Sequence, residues 1–319
     1  MTRKQRVLRG LDPANAVGIE VGALCRPLVT RAEGRIIYVD HTDTASLRAK
    51  YAGDPNVDID AIVEVDAVWG NNTLADAVGT GTRVDYVVAS HLIEHVPDLL
   101  GWLGEVHGVL KPQGSLRLVV PDRRFTFDHA RQETRLSDAL YAFLVRARAP
   151  LLPFLLDYVL EVVEFDVTAA TEGRPMRRLH DLPLALAVAE DVQRNGTYHD
   201  AHCWVFTPAS FAALMERAAA LGLMRFSCHD FHDTAHGENE FTVALQPCDD
   251  PAEAAGSWRR MAGQCADAAV QQKAIDIAAL RTRLAVLEAQ HAEALQELEA
   301  MRTSRSWQWT APLRHIGSR

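Results

Sequence analysis

The strongest constraint on this chain is that short β-rich runs alternate with helical patterns through its first half. Runs at 17–21, 35–40, 61–65, 84–89 and 115–120 predict five strands, with helix patterns at 44–51 and 99–110 between them. Strands that alternate with helices build βαβ units around a parallel sheet. Two of these runs, Tyr86-Val87-Val88-Ala89 and 116–120, are apolar almost throughout, as strands covered on both faces require.

The second half reads differently. From 123 to about 196 the pattern is helical and irregular, with Pro150 and Pro153 inside its apolar part, which predicts an insertion or lid. A helix then starts at an N-cap threonine followed by proline, Thr207-Pro208, and runs to Gly222. Two final strands, 223–231 and 240–245, lie too close in sequence for a parallel crossover, so they predict an antiparallel hairpin. The expected architecture of 1–247 is therefore α/β: a Rossmann-like, doubly wound, mostly parallel sheet with an antiparallel terminal strand and a helical insertion at 123–196. Beyond it, 248–269 is rich in Ala, Asp and Gly and reads as a linker. Residues 270–301 carry Ile277, Leu280, Leu284, Leu287, His291, Ala294, Leu298 and Met301 at alternating steps of three and four, a coiled-coil seam. As a helix this segment would extend about 48 Å. It predicts a homo-oligomer or a partner enzyme. The tail, 302–319, holds four arginines, no acid, and Trp307 and Trp309.

Charge and cysteine usage narrow the class. A formal net charge of -9 argues against a nucleic-acid partner, which needs a cationic surface, and favours a small molecule or a neutral polymer. Five cysteines without a C-x-x-C pair predict reduced thiols rather than a redox or zinc motif. No apolar run of signal-peptide length follows the basic N-terminus, and the apolar stretch 136–163 is broken by charges and prolines. The expected location is cytoplasmic. The tail suits either a peripheral contact at the inner face of an anionic membrane or a solvated basic end.

Function is written at the strand ends. The first strand runs into Glu20-Val21-Gly22-Ala23-Leu24, at the carboxyl edge where a doubly wound sheet holds its ligand. The second ends in Asp40-His41, about 20 residues on, the spacing at which an acid grips ribose hydroxyls. A nucleoside ligand follows.

These residues resemble the class I methyltransferases over roughly 17–245. Glu20-x-Gly22 is similar to the start of their first motif, the segment from Val84 to Asp98 to their fourth-strand motif, and the segment from Leu110 to Pro121 to the turn into their fifth strand. The resemblance implies S-adenosyl-L-methionine as cofactor, with Glu20, Gly22, Ala23, Leu24, Asp40, His41, Asp66, Ala67 and Ser90 around it and Asp66 near the adenine. The terminal hairpin fits that family better than nicotinamide-binding folds. Leu24 and Arg26 stand where the family's motif often has further glycines. That departure leaves open a second reading, a catalytically impaired scaffold that recruits polysaccharide enzymes through the coiled coil.

An acceptor hydroxyl would need a general base within hydrogen-bond reach, and His91, His199 and His202 are the candidates. The second half is rich in histidine, yet no pair has a clean ligand spacing, so no metal site is expected. The coiled coil and tail resemble the ends of bacterial enzymes that build surface polysaccharides, which implies a glycan or related small acceptor.

Overall fold

The computed structural model describes residues 1–303, leaving aside the side chains of 267–276, 278 and 279. Seven strands form one sheet in the order β3-β2-β1-β4-β5-β7-β6. They are β1 (Val17–Val21), β2 (Arg35–Asp40), β3 (Ala67–Val68), β4 (Val84–Ser90), β5 (Leu110–Pro121), β6 (Phe226–His232) and β7 (Glu240–Pro247). The first five are parallel, while β7 runs antiparallel to both β5 and β6. This is the α/β, Rossmann-like sheet with a terminal hairpin. Because β1 lies between β2 and β4, the connections leave it in opposite directions, and the switch opens a crevice at the carboxyl ends of these strands.

Ten helices accompany the sheet among the described residues: α1 (Arg3–Val7), α2 (Thr44–Lys50), α3 (Leu74–Val78), α4 (Leu99–Val109), α5 (Leu136–Leu144), α6 (Leu152–Glu161), α7 (Val167–Glu172), α8 (Leu182–Asn195), α9 (Pro208–Ala220) and α10 (Pro251–Thr303). The central strands are buried on both faces. Ile19, Val87, Leu116 and Leu118 pack with α4 residues Trp102, Leu103 and Val106, and Tyr38, Tyr86, Val88 and Val119 form a second cluster with Val7 and Val29. Gly18 allows that second cluster to close, since a Cβ there would stand 2.0 Å from the Tyr86 ring. Helix α9 begins as read, with Thr207 accepting from Ser210 N in a capping box and Pro208 in its first turn.

Two segments differ from expectation. The third strand, expected at 61–65, is only Ala67–Val68. Asp58 instead caps a 3-10 turn at Ile59–Ala61, and the apolar residues after it are tied into loops: Val63 N donates to Leu24 O, and Val65 N to Thr44 Oγ1. Likewise, most of the expected linker at 248–269 is the start of α10. Ala254, Trp258, Met261 and Cys265 recur at helical steps of four, three and four, and all are buried. Trp258 Nε1 donates to Phe226 O at 2.8 Å and Ser257 Oγ accepts from Cys228 N, so this part of the helix seals the β6 edge.

The chain divides into two units, Met1–Cys265 and Ala266–Arg319. In the second, Ile277, Leu280, Leu284, Leu287 and Leu298 of the heptad pattern are exposed on α10. Most of the arginine- and tryptophan-bearing tail, 304–319, lies outside the described residues. No helix among the described residues is long and apolar enough to cross a membrane.

Candidate functional site

A cavity of about 640 Å³ opens at the carboxyl ends of β1, β2 and β4. Its floor is the turn after β1. Gly22 takes φ +72°, a left-handed conformation that costs glycine nothing, and donates its N–H to Val39 O at 2.9 Å. Leu24 follows at φ +46°. The chain thus keeps the glycine-like path through this turn even where a leucine must adopt it, at a typical cost of about 1–3 kcal/mol. What holds it there is Glu20, buried at 2% exposure, whose two oxygens accept from Leu28 N (2.7 Å) and Val29 N (3.0 Å). Burial pushes the Glu20 carboxyl up to about 6, against these two hydrogen bonds.

Asp40, at the end of β2, faces the same cavity. Its Oδ1 accepts from His41 N (2.7 Å) and meets His41 Nδ1 at 2.6 Å. Both contacts fall on one oxygen, which leaves Oδ2 for a ligand's hydroxyl. Trp69, Gly70 and Asn71 close the wall beyond β3. Trp69 is fixed by its N–H on Asp40 O and by its indole on Glu105, which also accepts from Leu74 N and Arg148.

The other half of the cavity is built by the exit of β4. Ser90 and His91 line it, His91 at φ +49°, a strained conformation for a non-glycine residue. His91 Nε2 lies 2.7 Å from Glu240 Oε2 on β7. Arg3 braces the pair: its Nε reaches Glu240 Oε1 and its Nη2 donates to Ser90 Oγ. Burial alone would raise the Glu240 carboxyl, but His91 and Arg3 outweigh it and hold it at about 2. With Nε2–H turned to a carboxylate, the His91 Nδ1 is left to accept a proton.

The segment leaving α8 contributes the far wall. Tyr198 and Asp200 line the cavity, and Asp200 Oδ1 meets His95 Nδ1 at 2.9 Å while Lys50 stands 3.6 Å from Oδ2. Burial works to raise the Asp200 carboxyl, and the His95 hydrogen bond together with the neighbouring Lys50 ammonium overcomes it, leaving Asp200 well below the usual carboxylate range.

Of the residues expected around the ligand, Gly22, Leu24, Asp40, His41, Ser90 and His91 line the cavity. The others do not. Glu20 shapes the turn from below. Ala23 is packed in the cluster under that turn and Ala67 in the main core. Asp66 is held by Arg31 at 2.9 Å and by Tyr38 N at 2.8 Å, bracing β2 outside the cavity lining. The three expected bases also separate. His199 turns away to Asp191 (2.8 Å), and His202 is buried behind His95 with its Nδ1 2.6 Å from Asp128. Only His91 of the three lines the cavity. Sequence reasoning missed Lys50, Asn71 and Arg148 as cavity walls, whereas Tyr198 and Asp200 belong to the segment before α9 whose position in the sequence suits the mouth of a site. Cys203 is buried, and burial pushes its thiol up to about 12.

A family model described as "Methyltransferase domain" matches residues 6–219. The chain is 31% identical over 110 residues to a ubiquinone biosynthesis O-methyltransferase of Rhodopseudomonas palustris (strain BisA53); the match covers 34% of this chain and 40% of that protein's length. Among solved structures it is similar to the CcbJ methyltransferase from Streptomyces caelestis, with 11% identity, 77% of this chain and 94% of that one covered, and a TM-score of 0.40. It is also similar to an S-adenosylmethionine dependent methyltransferase from Mesorhizobium loti, with 12% identity, coverage of 76% and 95%, and a TM-score of 0.38.

Proposed function

The chain belongs to the methyltransferase-domain family, and from that premise we propose that it transfers a methyl group from S-adenosyl-L-methionine to a hydroxyl of a glycan or related small acceptor. The carrying observation is the convergence of the Gly22–Leu24 turn, the Asp40 carboxylate and His91 on one cavity at the sheet's switch point. The residues present fit the cofactor. The cavity is within the range of about 300–1,000 Å³ usual for small-molecule sites. Gly22 leaves open a space that a Cβ would fill to 3.1 Å from Leu92, and Asp40, whose Oδ1 takes both His41 contacts, would offer its Oδ2 to a ribose diol.

When bound, the cofactor supplies an electrophilic methyl on a positively charged sulfur. The protein's part is mostly alignment and exclusion of water. Asp40 would hold the sugar, the Leu24 turn and Trp69 would wall the nucleoside, and His91 Nδ1 would take the acceptor proton while Glu240 keeps the ring in the required tautomer. Oxygen as the accepting atom is favoured by the named activity of the O-methyltransferase relative. A glycan acceptor rests on the likeness of the C-terminal segments to polysaccharide-building enzymes, and the exposed seam of α10 would pair with a second copy or a partner enzyme. Calorimetry with S-adenosylhomocysteine, followed by transfer of labelled methyl to sugar acceptors, tests the reading. Absence of cofactor binding would remove it and leave a scaffold.

A further inference from the structure

The geometry points to a divalent transition-metal site formed by Glu94, His95 and His202, at the edge of the cavity where the acceptor enters. One donor atom from each of the three lies within 4.8 Å of the others. Around a single ion with bonds of about 2.0–2.2 Å, donors stand roughly 3.4 Å apart, so small side-chain rotations close the set.

Three observations single out this cluster. Glu94 is fully buried at 0% exposure, and neither of its oxygens has a hydrogen-bond partner. Its nearest basic neighbour, His91 Nδ1, is 3.7 Å from Oε1, too far for a hydrogen bond. A buried carboxylate without partners is rare unless something absent completes it, and a cation is the natural complement. Next, both histidines are oriented for coordination. His95 turns Nδ1 to Asp200 at 2.9 Å and His202 turns Nδ1 to Asp128 at 2.6 Å, which leaves each Nε2 as a lone-pair donor. A carboxylate on the far nitrogen of each imidazole is the outer-shell pattern of metal-binding histidines. Last, the two ligand-bearing segments are stapled together by the backbone. Cys203 N donates to Glu94 O at 2.7 Å, and Trp204 Nε1 donates to Val96 O at 2.6 Å, so His202 is fixed opposite the 3-10 turn that carries Glu94 and His95.

Two imidazoles and one carboxylate suit zinc, iron(II), manganese or cobalt better than magnesium, which prefers an all-oxygen shell. Three protein ligands leave positions open, and of the three residues His95 lines the cavity. An acceptor hydroxyl entering there would lose its proton more readily beside the ion. Oxygen then bonds to the methyl carbon as the carbon–sulfur bond breaks, the electron pair stays on sulfur, and the proton passes to His91 Nδ1 on the adjacent turn. This use of the site rests on the proposed methyl transfer; the site itself does not.

The test separates the two. Full-length protein stripped with chelator is titrated with Zn²⁺ by calorimetry and with Co²⁺ by its ligand-field absorption. One equivalent is expected to bind, with cobalt spectra of mixed nitrogen and oxygen ligation. Glu94→Gln and His202→Ala should abolish that binding, and Asp128→Asn should weaken it by about 10–100-fold. Metal-free Glu94→Gln should melt no lower than the metal-free parent, which shows that lost binding is not lost folding. Saturable S-adenosylhomocysteine binding without any bound Zn²⁺ or Co²⁺ would overturn the metal site alone. Zinc binding unchanged in Glu94→Gln would overturn it as well, by placing the ion elsewhere.

Discussion

Replacing Gly22 with alanine separates the two duties assigned to that residue. The first is conformational: at φ +72° an L-residue is in the left-handed region, which costs about 1–2 kcal/mol. For a unit of this size each kcal/mol moves the melting midpoint by about 2–4 °C, so Gly22→Ala should melt about 2–8 °C lower. The second duty is space. The new Cβ would stand 3.1 Å from Leu92 Cδ1, so Leu92, itself a cavity wall, must shift by a few tenths of an ångström. Backbone strain is present in both the free and bound states and cancels from the binding constant, whereas the occluded space does not. S-adenosylhomocysteine should therefore bind at least about tenfold more weakly, roughly 1.4 kcal/mol, by calorimetry well below the melting transition. A variant that melts lower yet binds with unchanged affinity would refute the reasoning, since the glycine would then serve the turn alone.

Other expectations follow from the same contacts. The Glu20 carboxyl, raised from 4.5 to about 6 by burial, holds its proton more tightly when folded. Its contribution therefore favours the fold below pH 4.5 and is lost as pH rises through about 6, a fall of about 2 kcal/mol. Urea denaturation of the parent and Glu20→Gln from pH 4 to 7 should show that fall only in the parent, and parallel curves would contradict it. Changing His91 to asparagine should lower kcat by about 10²–10⁴-fold with little change in cofactor affinity, measured at saturating cofactor; an unchanged kcat would exclude it as the base. Replacing Leu280 and Leu287 together by aspartate should convert an oligomer to a monomer in light scattering of the full chain. A parent that is already monomeric would end the coiled-coil proposal.

Those elements whose signal is local were legible in the sequence. Residues 17–21 and 35–40 become β1 and β2 with the same ends, because each is a compact β-rich run, the first stopped by the Gly22 turn and the second by the polar His41-Thr42-Asp43. The third strand was not legible, since a two-residue strand carries no period, and the alternating apolar residues before it serve to hold the Leu24 turn instead. The start of α10 was hidden for another reason. Its alanines, glycines and aspartates look like a spacer, and only the steps between Ala254, Trp258, Met261 and Cys265 give away a buried face. Composition misleads where small residues pack closely against a sheet edge.

The site divides along the same line. Its nucleoside half lies within a few residues of strand ends, so Gly22, Asp40 and Ser90 could be placed from sequence order alone. Its acceptor half could not, because it is assembled from segments about 100 residues apart. His91 turns through φ +49° as it leaves β4, with its N–H on Val119 O, and the reversal tucks Glu94 inside while His95 faces the cavity. The chain leaving α8 then alternates its side chains: Asp200 goes to His95, His199 goes back to Asp191, and His202 passes behind to Asp128. Spacing along the sequence could not show this, since the neighbours that matter are set by hydrogen bonds between distant segments, Cys203 N and Trp204 N to Glu94 O and the Trp204 indole to Val96 O. A strained residue and a buried carboxylate without partners on one short turn, with one oriented imidazole beside them and a second facing them from the chain after α8, are hard to explain as packing. Each costs stability where an apolar side chain would not, and such costs persist where chemistry uses them.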